Sequence, residues 1–307
     1  MPSAKEIFIS RIKSLAISIE IDAVINKSLT EVKHNETARI LRNGLTVVGF
    51  NALEDFIKLR TSEVLSDIGK IGIPFNSLPE KLQFAVTCDA VSALSFQLRF
   101  REKSDKISYI QEQALKISST ANTAYDLFPQ AFGYDSSNLY EDTIKEILSC
   151  FLIKNPWGEM TIIGSNIGLV AMPLQETYKS AMQRRHKAAH HANTDIPQSD
   201  IKQFINDALA ISITFDSLLS KAFSLISKHN MSYLKGKSFL DHNLVKKRII
   251  KFSDNTWKEF PPGKTKDYRI NSDKDYLVNE ARARSHFKEE LLIVFDTNNS
   301  IDTWDCF

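Results

Sequence analysis

Apolar residues recur every three to four positions along most of the chain, the period of helices that bury one face. Residues 5–32 carry it through Ile7, Ile12, Leu15, Ile19, Val24 and Ile25. His34-Asn35 opens the next element, and a long helix is predicted from about 36 to 68, stopped by Gly69 and the Gly72-Ile73-Pro74 turn. Residues 79–100 repeat the pattern through Leu82, Phe84, Ala85, Val91, Leu94 and Phe96, and a further helix is predicted over 104–120. Phe128–Asn138, rich in aromatic and turn residues, reads as a loop. A helix over 139–153 uses Leu139, Ile144, Ile147, Leu148 and Phe151 and ends before Asn155-Pro156. Residues 158–170 fit no single template, and another helix is predicted over 173–190. After a polar break, Ala192–Pro197, the helical spacing returns at Ile201, Phe204, Ile205, Ala208, Ile211, Phe215, Leu218, Leu219 and Ala222, with Ser199 and Asp200 as candidate caps.

The pattern changes after about residue 230. Short apolar runs, Ile249-Ile250 and Leu291–Phe295, are separated by Pro261-Pro262-Gly263, which predicts a small mixed α/β extension. The chain therefore divides into an N-terminal helix (1–35), a helical domain (36–228) and an extension (229–307). The scarcity of punctuation, 10 glycines and 9 prolines in 307 residues, favours a mainly α fold.

Composition narrows the function classes only slightly. Hydrophobic residues make up 43% and charged residues 25%, ordinary for a globular core. A net charge of +2 gives no global attraction to nucleic acid, so any such binding must come from local patches. Three scattered cysteines fit a reducing compartment rather than a disulfide framework. With neither a signal-peptide pattern nor a long unbroken apolar run, a cytoplasmic protein without a membrane partner is expected.

The densest chemistry is Arg184-Arg185-His186-Lys187-Ala188-Ala189-His190, followed by His191; three of the seven histidines fall here. Arginine offers a fixed charge and a planar fork of donors that suits phosphate oxygens. Histidine exchanges a proton near neutral pH. Together they can cleave a phosphodiester by general acid–base chemistry without a metal. The alternative is a solvated charged face. His186 and His190 also have the i,i+4 spacing of a metal pair, but no Cys or His pattern supplies further ligands, so neither metal nor cofactor is expected.

The cluster at a helix end, with a long amphipathic helix folding back after it, resembles the HEPN superfamily of helical ribonuclease domains. Arg185-His186-Lys187-Ala188-Ala189-His190 matches the family's R-x4-6-H motif, and His186 fits its preference for a polar residue after the arginine. The early arginine-bearing helix from Thr37 to Ile57 and Asn155-Pro156-Trp157 are similar to the RiboL-PSP-HEPN branch, over roughly residues 35–225. The resemblance implies an antiparallel helical bundle and a metal-independent endoribonuclease, usually built from two such domains, in bacterial defence or a toxin–antitoxin system. In that reading the arginine binds the scissile phosphate and the histidine moves the proton of an attacking ribose 2′-hydroxyl, which restricts the substrate to RNA. A homodimer and an antitoxin or defence-system partner protein are implied with it.

Arg185 and His190 are the expected catalytic pair, with Arg184, His186 and His191 as auxiliary candidates. Five residues at about 100° each set Arg185 and His190 roughly 140° apart, so a two-fold partner is expected to complete the site. Arg184 and His191 form another register, seven residues apart and nearly on one face. Lys187, Arg39 and Arg42 are candidate RNA contacts, Arg39 and Arg42 alternatively an exposed basic face. Lys246-Lys247-Arg248 near Phe252 and Trp257 is either an RNA-binding strip or a solvated face, and Trp157 reads as a packing anchor. Gly263-Lys264-Thr265 ends like a phosphate-binding loop but has Lys258 where the first glycine must stand. A non-catalytic helical module that dimerises or docks a partner is the competing reading.

Overall fold

In the computed structural model, which describes residues 2–136, 138–170, 172–191 and 193–307, the apolar stripes become helices around one long central element. Helix α1 (Ala4–Ser18) begins at a capping box: Glu6 N–H donates to Ser3 Oγ at 3.2 Å, and Ser3 N–H donates to Glu6 Oε2 at 2.8 Å. It is shorter than the expected 5–32 element. Ile19 and Val24 are buried from a connecting segment with a single 3-10 turn, so their apolar spacing continues after the helix stops. Helix α2 (Val32–Ile68), 37 residues and about 55 Å long, is the spine. At Gly49 an added Cβ would lie 2.8 Å from Leu15 and 3.1 Å from Phe204, so the missing side chain lets two other helices approach α2.

Helix α3 (Glu80–Phe84), a π-helical turn (Ala85–Asp89) and α4 (Ala90–Gln97) occupy the expected 79–100 helix. Next come α5 (Lys106–Ser119), a stretch whose described residues form neither helix nor strand yet bury Leu127, Phe128 and Leu139, and α6 (Glu141–Cys150). The ambiguous 158–170 region belongs largely to α7 (Pro156–Ile167). Asn155 caps it, Pro156 takes its first position, and Gly168 ends it at φ 84°. Trp157 is buried against Tyr178, ring centroids 5.7 Å apart, as a packing anchor should be.

Helix α8 (Leu174–His190) carries the Arg/His cluster. Ala192, in the polar break after it, lies outside the described residues. Helix α9 (Gln198–Ser227) follows Pro197, which makes no side-chain cap. Ser199 and Asp200 are not its caps, because they already lie in the first turn. By length and composition α9 qualifies as a membrane span, yet 83% of its most apolar window is buried inside the protein. That burial reflects its position against α1, α2 and α7. The short α10 (Met231–Leu234) closes the helical part.

The extension is a five-stranded mixed sheet made of β1 (Lys246–Ser253), β2 (Thr256–Phe260), β3 (Arg269–Asn271), β4 (Glu290–Phe295) and β5 (Ile301–Asp305), with α11 (Lys274–Lys288) between β3 and β4. The strand order is β3-β2-β1-β4-β5; β1 and β4 are parallel and the other pairs antiparallel. Strand β4 is buried on both faces. Leu291, Ile293 and Phe295 join the core of the helical part, while Leu292 and Val294 join Leu277 and Ala281 of α11. Arg248 corrects the expectation of a solvated or RNA-binding strip. It is 1% exposed, with Glu290 Oε2 at 2.7 Å from its Nε and an ion pair to the fully buried Glu259. Its two acidic partners lie 11 and 42 residues away in sequence, beyond the reach of local pattern.

Candidate functional site

Leu174, Tyr178 and Ala181 form the buried face of α8, which decides where the cluster points. Arg184 and Arg185 stand three and four residues beyond Ala181 and leave this stripe on opposite sides. Arg184 enters a tight crevice beside Thr46, Asp200 and Phe204 of the neighbouring helices. Arg185 enters a pocket of about 280 Å³ that it shares with His186, Lys187 and His191, over Phe50 of α2. The Nε of Arg185 is buried and has no hydrogen-bond partner among the described residues. Arg42 and Arg60, by contrast, are committed to Asp195 and Asp216.

The histidines form a short row. The rings of His186 and His190 are 4.7 Å apart between centroids, and those of His186 and His191 are 6.3 Å apart. All three are exposed. His190 is the last residue of α8, whereas His191 has left the helix with φ −118° and ψ 104°. Helical arithmetic therefore stops at His190. The Arg184–His191 register, which relies on seven helical steps, is not realised: His191 swings to the Arg185 pocket while Arg184 lies in the other crevice. His190 does not line the pocket and reaches it only through its contact with His186.

Two further expectations need correction. Arg42 is neither an RNA contact nor part of an exposed basic face. It is 2% exposed, and its guanidinium donates to Val24 O at 2.7 Å, Ile196 O at 2.9 Å and Asp195 Oδ1 at 2.6 Å. The adjacent Asn43 donates to Thr194 O at 2.7 Å and accepts from Ile196 N–H at 3.3 Å. Together Arg42 and Asn43 tie down the segment that follows the histidines. Arg39 is half-buried and lines a separate groove with Asn35, Glu36 and Asp195.

The far rim of the pocket is built by residues the sequence reading missed. Glu54 accepts the Leu139 N–H at 2.6 Å, and the Tyr178 hydroxyl donates to the Leu139 carbonyl at 2.6 Å. This double hold on the backbone of one buried residue, on the peptide groups either side of it, presents its neighbours Asn138 and Tyr140 to the pocket. Burial raises the Glu54 carboxyl above its usual range, against the Leu139 hydrogen bond and the positive charges of Lys58 and Arg185. Burial likewise pushes the Tyr178 hydroxyl well up, which keeps it a neutral donor. Glu54 had a sequence signal: it follows Phe50 by four residues and precedes Ile57 by three, so a carboxylate interrupts an apolar stripe.

Among the described residues no Asp or Glu lines the pocket, and no three His, Cys, Asp or Glu side chains gather as a metal-ligand set. A family model described as RiboL-PSP-HEPN matches residues 8–221, from α1 into α9 and across the whole site. No curated protein matches at a comparable level, and neither does any solved structure.

Proposed function

Given that the chain belongs to the RiboL-PSP-HEPN family, whose HEPN type is generally associated with ribonucleases, we propose that it is an endoribonuclease cleaving RNA by internal attack of a 2′-hydroxyl. The observation that carries this reading is Arg185, an arginine whose buried Nε has no hydrogen-bond partner among the described residues and which shares an open pocket with two histidines and a lysine. Its planar fork takes the oxygens of the scissile phosphate and stabilises the charge that grows on them. A histidine accepts the 2′-hydroxyl proton, and a protonated imidazole donates to the departing 5′-oxygen. The products are a 2′,3′-cyclic phosphate and a 5′-hydroxyl. Among the described residues that line the pocket the charged groups are nitrogen donors, a set suited to this chemistry and ill suited to magnesium.

His190 is the proposed proton-transfer residue. It is not among the residues lining the Arg185 pocket of its own chain, and a second copy related by a two-fold axis would complete the constellation. Exposed Ile40, Leu41 and Val48 on α2 supply apolar surface for such pairing. One observation favours a second assignment: His191 shares the pocket with Arg185 and would act within a single chain. The defence or toxin–antitoxin setting, with a neutralising partner protein in the cytoplasm, rests on the family alone.

The test is incubation with mixed RNAs in EDTA, followed by analysis of product ends. Cleavage should persist, yield cyclic phosphates, stop when the attacking 2′-hydroxyl is replaced by hydrogen, and disappear in Arg185→Ala. Strict magnesium dependence or equal cutting of DNA refutes the mechanism. Full activity of Arg185→Ala moves the site elsewhere and favours the non-catalytic interaction module.

A further inference from the structure

The pocket beside Arg185 has more structure than phosphate binding requires. Its mouth carries Tyr140, a large aromatic side chain left 49% exposed. Buried aromatics stabilise a core, whereas a half-exposed ring lining a cationic pocket leaves much of its face free for a ligand. The backbone that carries it is nonetheless held in position. It follows Leu139, whose N–H and carbonyl are both held, by Glu54 and Tyr178 from two different helices. Tyr140 is also the residue preceding α6, with extended φ −89° and ψ 161°. Gln183, one turn of α8 before Lys187, also lines the pocket, with an amide able to donate and accept.

A volume of about 280 Å³ is small for a drug-sized ligand, and the lining offers an aromatic face, an amide and a cationic group, which suit a flat ligand with a polar edge joined to a phosphate. An unstacked nucleobase has these properties. Every base presents a π-face that stacks on tyrosine, and its edge offers hydrogen-bonding groups to an amide. A base inside a duplex has its faces covered by its neighbours and cannot enter.

We propose that this pocket is a nucleobase subsite: it takes one unpaired base of single-stranded RNA, stacked on Tyr140 and read at its edge by Gln183, next to the phosphate held by Arg185. The proposal rests on the ribonuclease reading for the identity of the ligand and deepens it. It makes the substrate single-stranded and gives the enzyme a base preference at one nucleotide beside the cut. Tyr140 is a substrate-binding residue, and Glu54 and Tyr178 are positioning residues that act through Leu139.

The test uses the full chain and two readouts. The first is binding of a fluorescent single-stranded RNA octamer of mixed sequence, with the corresponding duplex as control. Tyr140→Ala should weaken single-strand binding about tenfold, the effect of losing one base stack, and Tyr140→Phe should restore it; duplex binding should not respond to either change. The second is sequencing of cut sites on a random RNA pool. The wild type should show a bias at one nucleotide flanking the cut, and Tyr140→Ala and Gln183→Ala should flatten it. Unchanged binding and an unchanged cut-site profile in Tyr140→Ala overturn the subsite, even if Arg185→Ala is inactive and the ribonuclease reading stands. Weakened single-strand binding by a protein that never cleaves RNA sinks the ribonuclease reading and keeps the subsite. Equal loss of duplex binding in Tyr140→Ala shows a general RNA surface and also overturns it.

Discussion

Arg42→Met separates an RNA contact from a structural clamp. Methionine keeps the straight, buried stem of the side chain and removes its charge and donors. Three hydrogen bonds disappear, to Val24 O, Ile196 O and Asp195 Oδ1, and two of the lost acceptors are backbone carbonyls beside a buried side chain. Bonds from a charged donor contribute about 1.5–3 kcal/mol each, but such values are not additive, and Asp195 regains water because it is half exposed. Removal of one member of a buried polar constellation typically costs ~3–5 kcal/mol, and the rehydrated Asp195 puts Arg42→Met at the lower end, about 3 kcal/mol. The loss should appear as a lower urea midpoint with an unchanged slope, followed by tryptophan fluorescence, and as a melting temperature roughly 5 °C lower. RNA affinity of the remaining folded protein should change little. Turnover should fall further than affinity, because the residues that Arg42 and Asn43 hold, Thr194, Asp195 and Ile196, lie three to five positions after His191. A stability loss below about 1 kcal/mol together with a large loss of RNA affinity would refute the clamp.

The remaining expectations concern the histidines and two buried carboxyls. His190→Ala should abolish turnover with an unchanged circular dichroism spectrum, and His191→Ala should be milder; the reverse order in single-turnover rates assigns the proton transfer to His191. Glu54→Gln keeps an acceptor for the Leu139 N–H and removes a carboxylate whose ionisation burial opposes. Because the folded-state pKa is raised, the ionised carboxylate weakens the fold at neutral pH, and stability rises as pH falls through that value. The variant should therefore match or exceed the wild type in urea at pH 7, and bind single-stranded RNA about two- to fivefold more tightly at low salt by unmasking Arg185. Burial also opposes ionisation of Asp216, but the Arg60 charge and hydrogen bonds from Arg60, Trp304 and Ser220 outweigh it and hold the carboxyl below its usual range. Its stabilisation is complete above the unfolded value near ~3.9 and is lost as pH falls through the folded value. Asp216→Asn should cost about 3–5 kcal/mol at pH 7 and give a flatter acid limb in urea midpoints measured from pH 7 to 3.

Helix positions were legible in the sequence wherever one face is buried over several turns, as in α2, α8 and α9. Boundaries set by tertiary contact were not. Ile19 and Val24 keep the apolar spacing after α1 has ended because the core, not the helix, requires them buried. The π turn at Ala85–Asp89 leaves the apolar pattern almost unchanged, so nothing local announces it. The Arg/His cluster was conspicuous because its chemistry is concentrated in eight consecutive positions. The burial of Arg42 and Arg248 was hidden, because a charged residue reads as exposed until its partners are known, and Asp195 is 153 residues from Arg42. Tyr140 carried no recognisable signal, since its role depends on Leu139 being held by side chains 85 and 39 residues away.

The fastening of β5 has a consequence for synthesis. Phe8 of α1 and Phe56 of α2 pack against Trp304, with centroids 6.4 and 6.1 Å apart, and Lys5 donates to Trp304 O and Asp305. These partners are separated by some 250–300 positions, so loops of nearly the whole described length must close before the contacts form. A nascent chain leaving the ribosome therefore carries the Phe8–Phe56 surface uncovered until the last strand has been made. At a typical ~5–20 residues per second this interval lasts on the order of ten seconds or more. During it the apolar face is a substrate for chaperones and a route to aggregation, and a frameshift or nonsense change upstream of Ile301 leaves that state permanent.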